Sequence, residues 1–154
     1  MQINIICVGK LKEPSIRDAC AEYIKRLSRY HKVAVRELPD EPANDDAAAR
    51  KAIIREGERI LEAAKKGYCI GLAIEGREDT SESFARRMRD YERLGEPVNF
   101  IIGGSGGLSD SVKAHCKELF SMSRLTFPHN LARLLLLEQI YRAAKINSGE
   151  TYHK

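Results

Sequence analysis

The chain has 154 residues, 43% of them hydrophobic and 31% charged, so it is long enough to bury a core and is neither disordered nor fibrous. A net charge of +4 permits an RNA partner without demanding one. Cys7, Cys20, Cys69 and Cys116 are scattered with no CxxC pair, which points to free thiols in a reducing cytoplasm and away from a zinc site or a disulfide framework.

The first apolar run, INIICV (3–8), predicts a strand and is too short for a signal or a membrane span. SIRDACAEYIKRLSRY follows. It sets Ile16, Ala19, Cys20, Tyr23, Leu27 and Tyr30 on one stripe at helical spacing, with Pro14 and Ser15 suited to the first turn. VAVREL (33–38) predicts a second strand and DEPANDD (40–46) an acidic loop. The next helix runs through DDAAARKAIIREGERILEAAKKG, with Ile53, Ile60, Leu61 and Ala64 inward and Gly67 as its stop. CIGLAI (69–74) is a strand, and TSESFARRMRDYERLG a helix opening on Thr80 and Ser81. NFII (99–102) is a strand, and SDSVKAHCKELF a helix capped by Ser109. SRLTF (123–127) predicts a last strand, and LARLLLLEQIYRAAKI the last and most apolar helix. Such alternation favours an α/β fold, a mainly parallel sheet flanked by helices, as one domain over residues 1–154.

Between strand and helix lies IIGGSGGLSD, with four glycines. A phosphate-cradling P-loop needs a lysine followed by a hydroxyl residue at its end, yet Leu108, Ser109 and Asp110 come next and the first lysine is Lys113. A dinucleotide fingerprint counted from Gly104 needs glycine where Ser109 stands. The loop therefore suits a ligand held by backbone groups and not through phosphates.

Two more features stand out. At about 100° per residue, Glu138, Gln139, Arg142 and Lys145 share one face of the last helix, while Arg133 falls on the apolar stripe with Leu137, Ile140 and Ala144. An arginine there is either a side chain snorkelling from the helix end, or has a buried partner, or serves a site. Leu134–Leu137 is apolar all round, which calls for cover from a second direction, by a chain crossing or a subunit partner. The chain ends in Tyr152, His153 and Lys154, which can respectively stack on a base, move a proton and meet a phosphate.

Along its whole length the chain resembles the SPOUT-class RNA methyltransferases, specifically the ribosomal large-subunit RNA methyltransferase H family. The resemblance is carried by VGKLKE (8–13), EYIKRL (22–27), REGERIL (55–61), Leu72 to Gly76, IGGSGGL (102–108), LTFPH (125–129), EQIYRA (138–143) with Lys145 and Ile146, and the terminal YHK. It implies a C-terminal trefoil knot and S-adenosylmethionine as cofactor. The cofactor contacts fall on Leu72, Gly103, Met122, Ser123, Arg124, Leu125, Thr126 and Phe127. It also implies a homodimer that methylates N3 of a pseudouridine in 23S ribosomal RNA on the assembled ribosome, with no metal and no membrane. Arg133 is then an electrostatic aid or RNA anchor, His129 and His153 are candidate proton acceptors, and Tyr152 and Lys154 place the target. His129 has a second reading, that it only shapes the turn after Pro128. Exposed Arg17, Lys25, Arg26 and Arg29 add weak, salt-sensitive attraction for RNA. Rival readings are a SPOUT-fold protein that binds RNA without catalysis, and a metabolic enzyme using a nucleotide phosphate.

Overall fold

In the computed structural model, which describes residues 1–153, strands and helices alternate along the chain. They are β1 (Gln2–Val8), α1 (Pro14–Leu27), β2 (Lys32–Leu38), α2 (Asp46–Ala63), β3 (Tyr68–Glu78), α3 (Ser81–Glu92), β4 (Val98–Ile102), α4 (Asp110–His115), β5 (Glu118–Ser121) and α5 (His129–Asn147). The five strands form one sheet in the order β2-β1-β4-β3-β5, with every neighbouring pair parallel.

β1 and β4 are nearly continuous apolar runs because helices cover both faces of a parallel sheet. Ile3, Ile5, Cys7, Val98, Phe100 and Ile102 join the core with α1, α3 and α5, while Ile6, Val8 and Ile101 join the one with α2 and α4. A fully buried side chain such as Phe100 stabilises the fold by roughly 1.5–3 kcal/mol. Between β1 and β4 the sheet carries a polar pair, and it is satisfied. Asn4 Nδ2 donates to Asn99 Oδ1 at 2.8 Å, and Asn99 Nδ2 donates to the Lys66 carbonyl at 2.7 Å.

Helix starts follow the capping residues. Asp45 accepts from the Ala48 amide at 2.7 Å, Thr80 from Ser83 at 3.1 Å and Ser109 from Val112 at 3.2 Å. α1 instead begins on Pro14, whose missing N–H is one the first turn leaves unpaired anyway.

Two expectations need correction. The helix opened by Ser109 stops at His115 and does not reach Phe120. Cys116 turns extended, and the Lys117 amide donates to the Cys69 carbonyl at 2.8 Å, so 118–121 becomes strand β5. The predicted strand over 123–127 does not form. Ser121 Oγ donates to the Ser123 carbonyl at 2.9 Å and Ser123 Oγ accepts from the Leu125 amide at 3.0 Å, so local side-chain bonds replace a ladder there. β3 also runs further than expected. Leu72 and Arg77 both partner Phe120, so residues 73–76 leave the ladder and return to it. Among the described residues no helix is long and apolar enough to cross a membrane.

Candidate functional site

A cavity of about 800 Å³ opens at the carboxyl ends of β3, β4 and β5, where ligands of open parallel sheets bind. Its walls come from residues 72–75, the 102–108 loop, Lys113 of α4, residues 120–123 and 125–128, and the first turn of α5. The wall is mostly apolar, with Leu72, Ile102, Leu108, Phe120, Phe127 and Ala132 among its residues. The glycine loop folds tightly on itself. The Gly107 amide donates to the Gly104 carbonyl at 3.0 Å, and Gly107 sits at φ +82°. A Cβ on Gly103 would stand 2.6 Å from the Gly107 carbonyl oxygen, so only glycine lets the two backbones approach. Behind the loop the buried Glu56 carboxylate accepts from the Glu41 amide at 3.0 Å, and its other oxygen would lie 3.1 Å from a Cβ on Gly104.

Seven of the eight residues expected at the cofactor line this cavity: Leu72, Gly103, Met122, Ser123, Leu125, Thr126 and Phe127. Arg124 does not. Its Nε donates outward to Glu78 Oε1 at 3.1 Å, and its side chain is exposed. His129 lines the cavity as the first residue of α5, and the space where Gly9 lacks a Cβ faces its Nε2 at 3.4 Å.

Arg133 lies one turn further on and is not in the wall. It is 3% exposed, with NH1 donating to Glu37 Oε2 at 2.8 Å and NH2 to the Gly9 carbonyl at 3.2 Å, while Nε has no partner. The side chain does not snorkel to water; it has a buried partner. Burial alone would raise the Glu37 carboxyl, but the bonds from Arg133 and the Leu11 amide, with the charges of Arg133 and Lys10, hold it below its usual range.

The tail sits elsewhere on the same helix. The Tyr152 ring packs edge-on to Tyr141 with centroids 4.9 Å apart, Arg142 lies over its face, and its hydroxyl donates to Glu138 at 3.3 Å. Arg142 NH1 donates to His153 Nδ1 at 3.1 Å, so the proton is on Nε2, which donates to Glu82 at 2.9 Å. Lys154 lies outside the described residues. Glu138 and Arg142 are roughly 13–20 Å along α5 from His129, at 1.5 Å per residue, so the tail and the cavity are apart within one chain.

Sequence reasoning missed Glu75 and Lys113. Both line the cavity, Glu75 from β3 and Lys113 from α4, and they pair at 2.6 Å between Nζ and Oε1. Their meeting depends on the excursion of residues 73–76, which no local pattern announces. Burial pushes the Cys7 thiol up to about 12 and the Cys116 thiol to about 11, so neither is a nucleophile at neutral pH. Among the described residues no group of three His, Cys, Asp or Glu side chains is placed to hold a metal. The cavity thus suits a ligand with a planar, neutral part that enters an apolar slot and is read by backbone N–H and C=O groups. Among the described residues its wall bears a single lysine, Lys113, which is too little positive charge for a triphosphate.

A family model described as Predicted SPOUT methyltransferase matches residues 1–153. Over the whole of both chains, this one is 50% identical to the ribosomal RNA large subunit methyltransferase H of Lactobacillus delbrueckii subsp. bulgaricus. It is 49% identical, again over the whole of both, to the protein of that name from Streptococcus thermophilus. Among solved structures, a probable methylase family protein from Haemophilus influenzae superposes with a TM-score of 0.60 at 13% identity, covering 99% of this chain and 70% of that one. A putative methyltransferase from Legionella pneumophila, in complex with SAM, gives 0.56 at 15% identity, covering 94% and 66%. At these identities the two structures share the fold with this chain.

Proposed function

This chain belongs to the SPOUT methyltransferase family, and we propose that it transfers a methyl group from S-adenosylmethionine to N3 of a pseudouridine in 23S ribosomal RNA. It does so in the cytoplasm as a homodimer of single-domain chains (1–154), on the assembled ribosome, and its C-terminal part is threaded as a trefoil knot. The observation that carries the reading is the apolar, backbone-walled cavity at the carboxyl edge of the sheet, formed by the segments that also carry the resemblance. Leu131 and Leu135, one turn apart on α5 and each 39% exposed, support a subunit contact there.

The cofactor, when bound, supplies a sulfonium methyl that is already a strong electrophile, so the protein's work is alignment and removal of one proton. Backbone groups of Leu72, Gly103 and residues 122–127 hold the adenosine part. His129, at the cavity wall, accepts the N3 proton. Arg133 acts through it as a positioning residue, tying the first turns of α5 to Gly9 and Glu37. Tyr152 and His153 are anchored away from their own chain's cavity. In a dimer the tail then serves the partner's, where tyrosine flanks the base, His153 orients it and Lys154 meets a phosphate.

The test is methylation of ribosomes that lack the modification, using labelled S-adenosylmethionine, with the modified nucleotide identified by mass spectrometry. Label at N3 of a pseudouridine in 23S RNA is expected. Label on another nucleotide or on protein would overturn the reading. Mixing a chain truncated after Thr151 with a Gly103→Val chain then locates the tail. Statistical mixing restores about a quarter of the wild-type activity if the tail serves the partner, and none if it serves its own chain.

A further inference from the structure

The proposed reaction leaves one feature of the cavity unused. Glu75, in the part of β3 that leaves the ladder, and Lys113, on α4, bear the only carboxylate and the only ammonium among the described residues of its wall. They meet at 2.6 Å, with Glu75 about half exposed and Lys113 about a third. An ion pair that open to water contributes little to stability, so it opens at little cost. Its two charges are held side by side at the rim of a cavity that is otherwise apolar or backbone.

Resting on the S-adenosylmethionine reading of this cavity, we infer that Glu75 and Lys113 separate to receive the amino-acid end of the cofactor, Glu75 accepting from its α-ammonium and Lys113 donating to its α-carboxylate. The cofactor has two ends of unlike chemistry. The adenosine end is neutral and suits the apolar slot. The amino-acid end is a zwitterion at neutral pH and cannot leave water without charged partners. Its two charges branch from one carbon, so the partners must be neighbours of opposite sign, as these are. The exchange replaces one ion pair by two and leaves neither charge of the amino-acid end uncompensated. It also tells the intact cofactor from adenosine fragments, a task the apolar slot alone cannot perform.

Calorimetric titration with S-adenosylhomocysteine, S-adenosylmethionine and 5′-methylthioadenosine, which lacks the amino-acid end, tests this on the full chain. Lys113→Met and Glu75→Gln should each weaken S-adenosylhomocysteine about tenfold, the value of one charge-assisted hydrogen bond, and change methylthioadenosine by less than about twofold. Equal weakening of both ligands would mean that the pair merely shapes the cavity, and unchanged binding of both would mean that it has no part; either overturns the inference. Glu75→Gln weakening S-adenosylmethionine but sparing S-adenosylhomocysteine would place that carboxylate at the sulfonium and overturn it as well. If the wild-type chain bound none of the three, the cofactor reading would fall first, a result none of the variant outcomes resembles.

Discussion

Two arginines are buried, and their surroundings differ. Arg87, on α3, has every donor group in use. NH1 donates to Asp79 at 2.7 Å, NH2 reaches Glu118 at 2.8 Å, and Nε and NH2 share the Tyr91 hydroxyl at 3.2 and 2.9 Å. The hydroxyls of Tyr68 and Tyr91 then donate to the second oxygen of Glu118, at 2.7 and 2.9 Å. Arg133 has one partly exposed carboxylate, one backbone carbonyl and an Nε without a partner. Arg87 joins α3 to the segment after β3 and the start of β5; Arg133 joins α5 to the ends of β1 and β2. Neither lines the cavity, whose wall is mainly glycine backbone and apolar side chains. Polar density in this molecule marks joints, and the candidate site is where it is low.

The comparison can be broken by substitution. Arg87→Met strands Asp79 and Glu118 together, and should cost about 3–5 kcal/mol in urea unfolding at fixed protomer concentration. The affinity of the folded fraction for S-adenosylmethionine should not change. A cost below about 1 kcal/mol would show that water replaces the network freely.

Gly103→Val probes the opposite kind of region. A side chain there must displace the Gly107 carbonyl, so S-adenosylmethionine affinity should fall at least about 100-fold, with far-ultraviolet circular dichroism nearly unchanged. Undiminished binding would put the pocket elsewhere. Arg133→Met should fall between the two in character. It should cost only about 1–3 kcal/mol, because Glu37 is partly exposed and regains water. It should also lower the turnover of the methyl transfer more than cofactor affinity, since His129 loses its support. Equal loss of both would make Arg133 a purely structural clamp.

How far the sequence announced these regions follows from what each depends on. β1 and β4 were legible because burial on both faces writes itself as continuous apolar runs, and helix starts were legible at Thr80 and Ser109 because capping is local. The stretch 116–127 was not. CKELF continues a helical pattern until the long-range bond from Lys117 to Cys69 turns it into strand, and SRLTF looks like a strand until the bonds of Ser121 and Ser123 curl it. At the site, Gly103 and residues 122–127 were found through glycine chemistry and resemblance. Glu75, Lys113 and Glu56 owe their places to tertiary approach. Arg133 drew notice as a charge in an apolar stripe, whereas Arg87 lay unnoticed in a helix full of charges.

The smallest predicted effect sharpens the contrast through pH. In the folded chain the Glu37 carboxyl is held below its ordinary value, with bonds from Arg133 and the Leu11 amide outweighing the effect of burial. A carboxyl depressed on folding contributes stability that is fully present above its unfolded pKa of 4.5 and is lost as pH falls through the lower folded value, because there the unfolded chain binds more protons. Removing Arg133 removes the strongest influence that lowers Glu37, so Arg133→Met should be less sensitive to acid than wild type. Carboxylates away from the joint titrate alike in both proteins and cancel in the difference. The stability gap between wild type and Arg133→Met should therefore narrow when urea unfolding is repeated at about pH 3 instead of about pH 7. A gap that stays constant over that range would mean that Arg133 stabilises the joint by packing alone, and that its bond to Glu37 contributes nothing net.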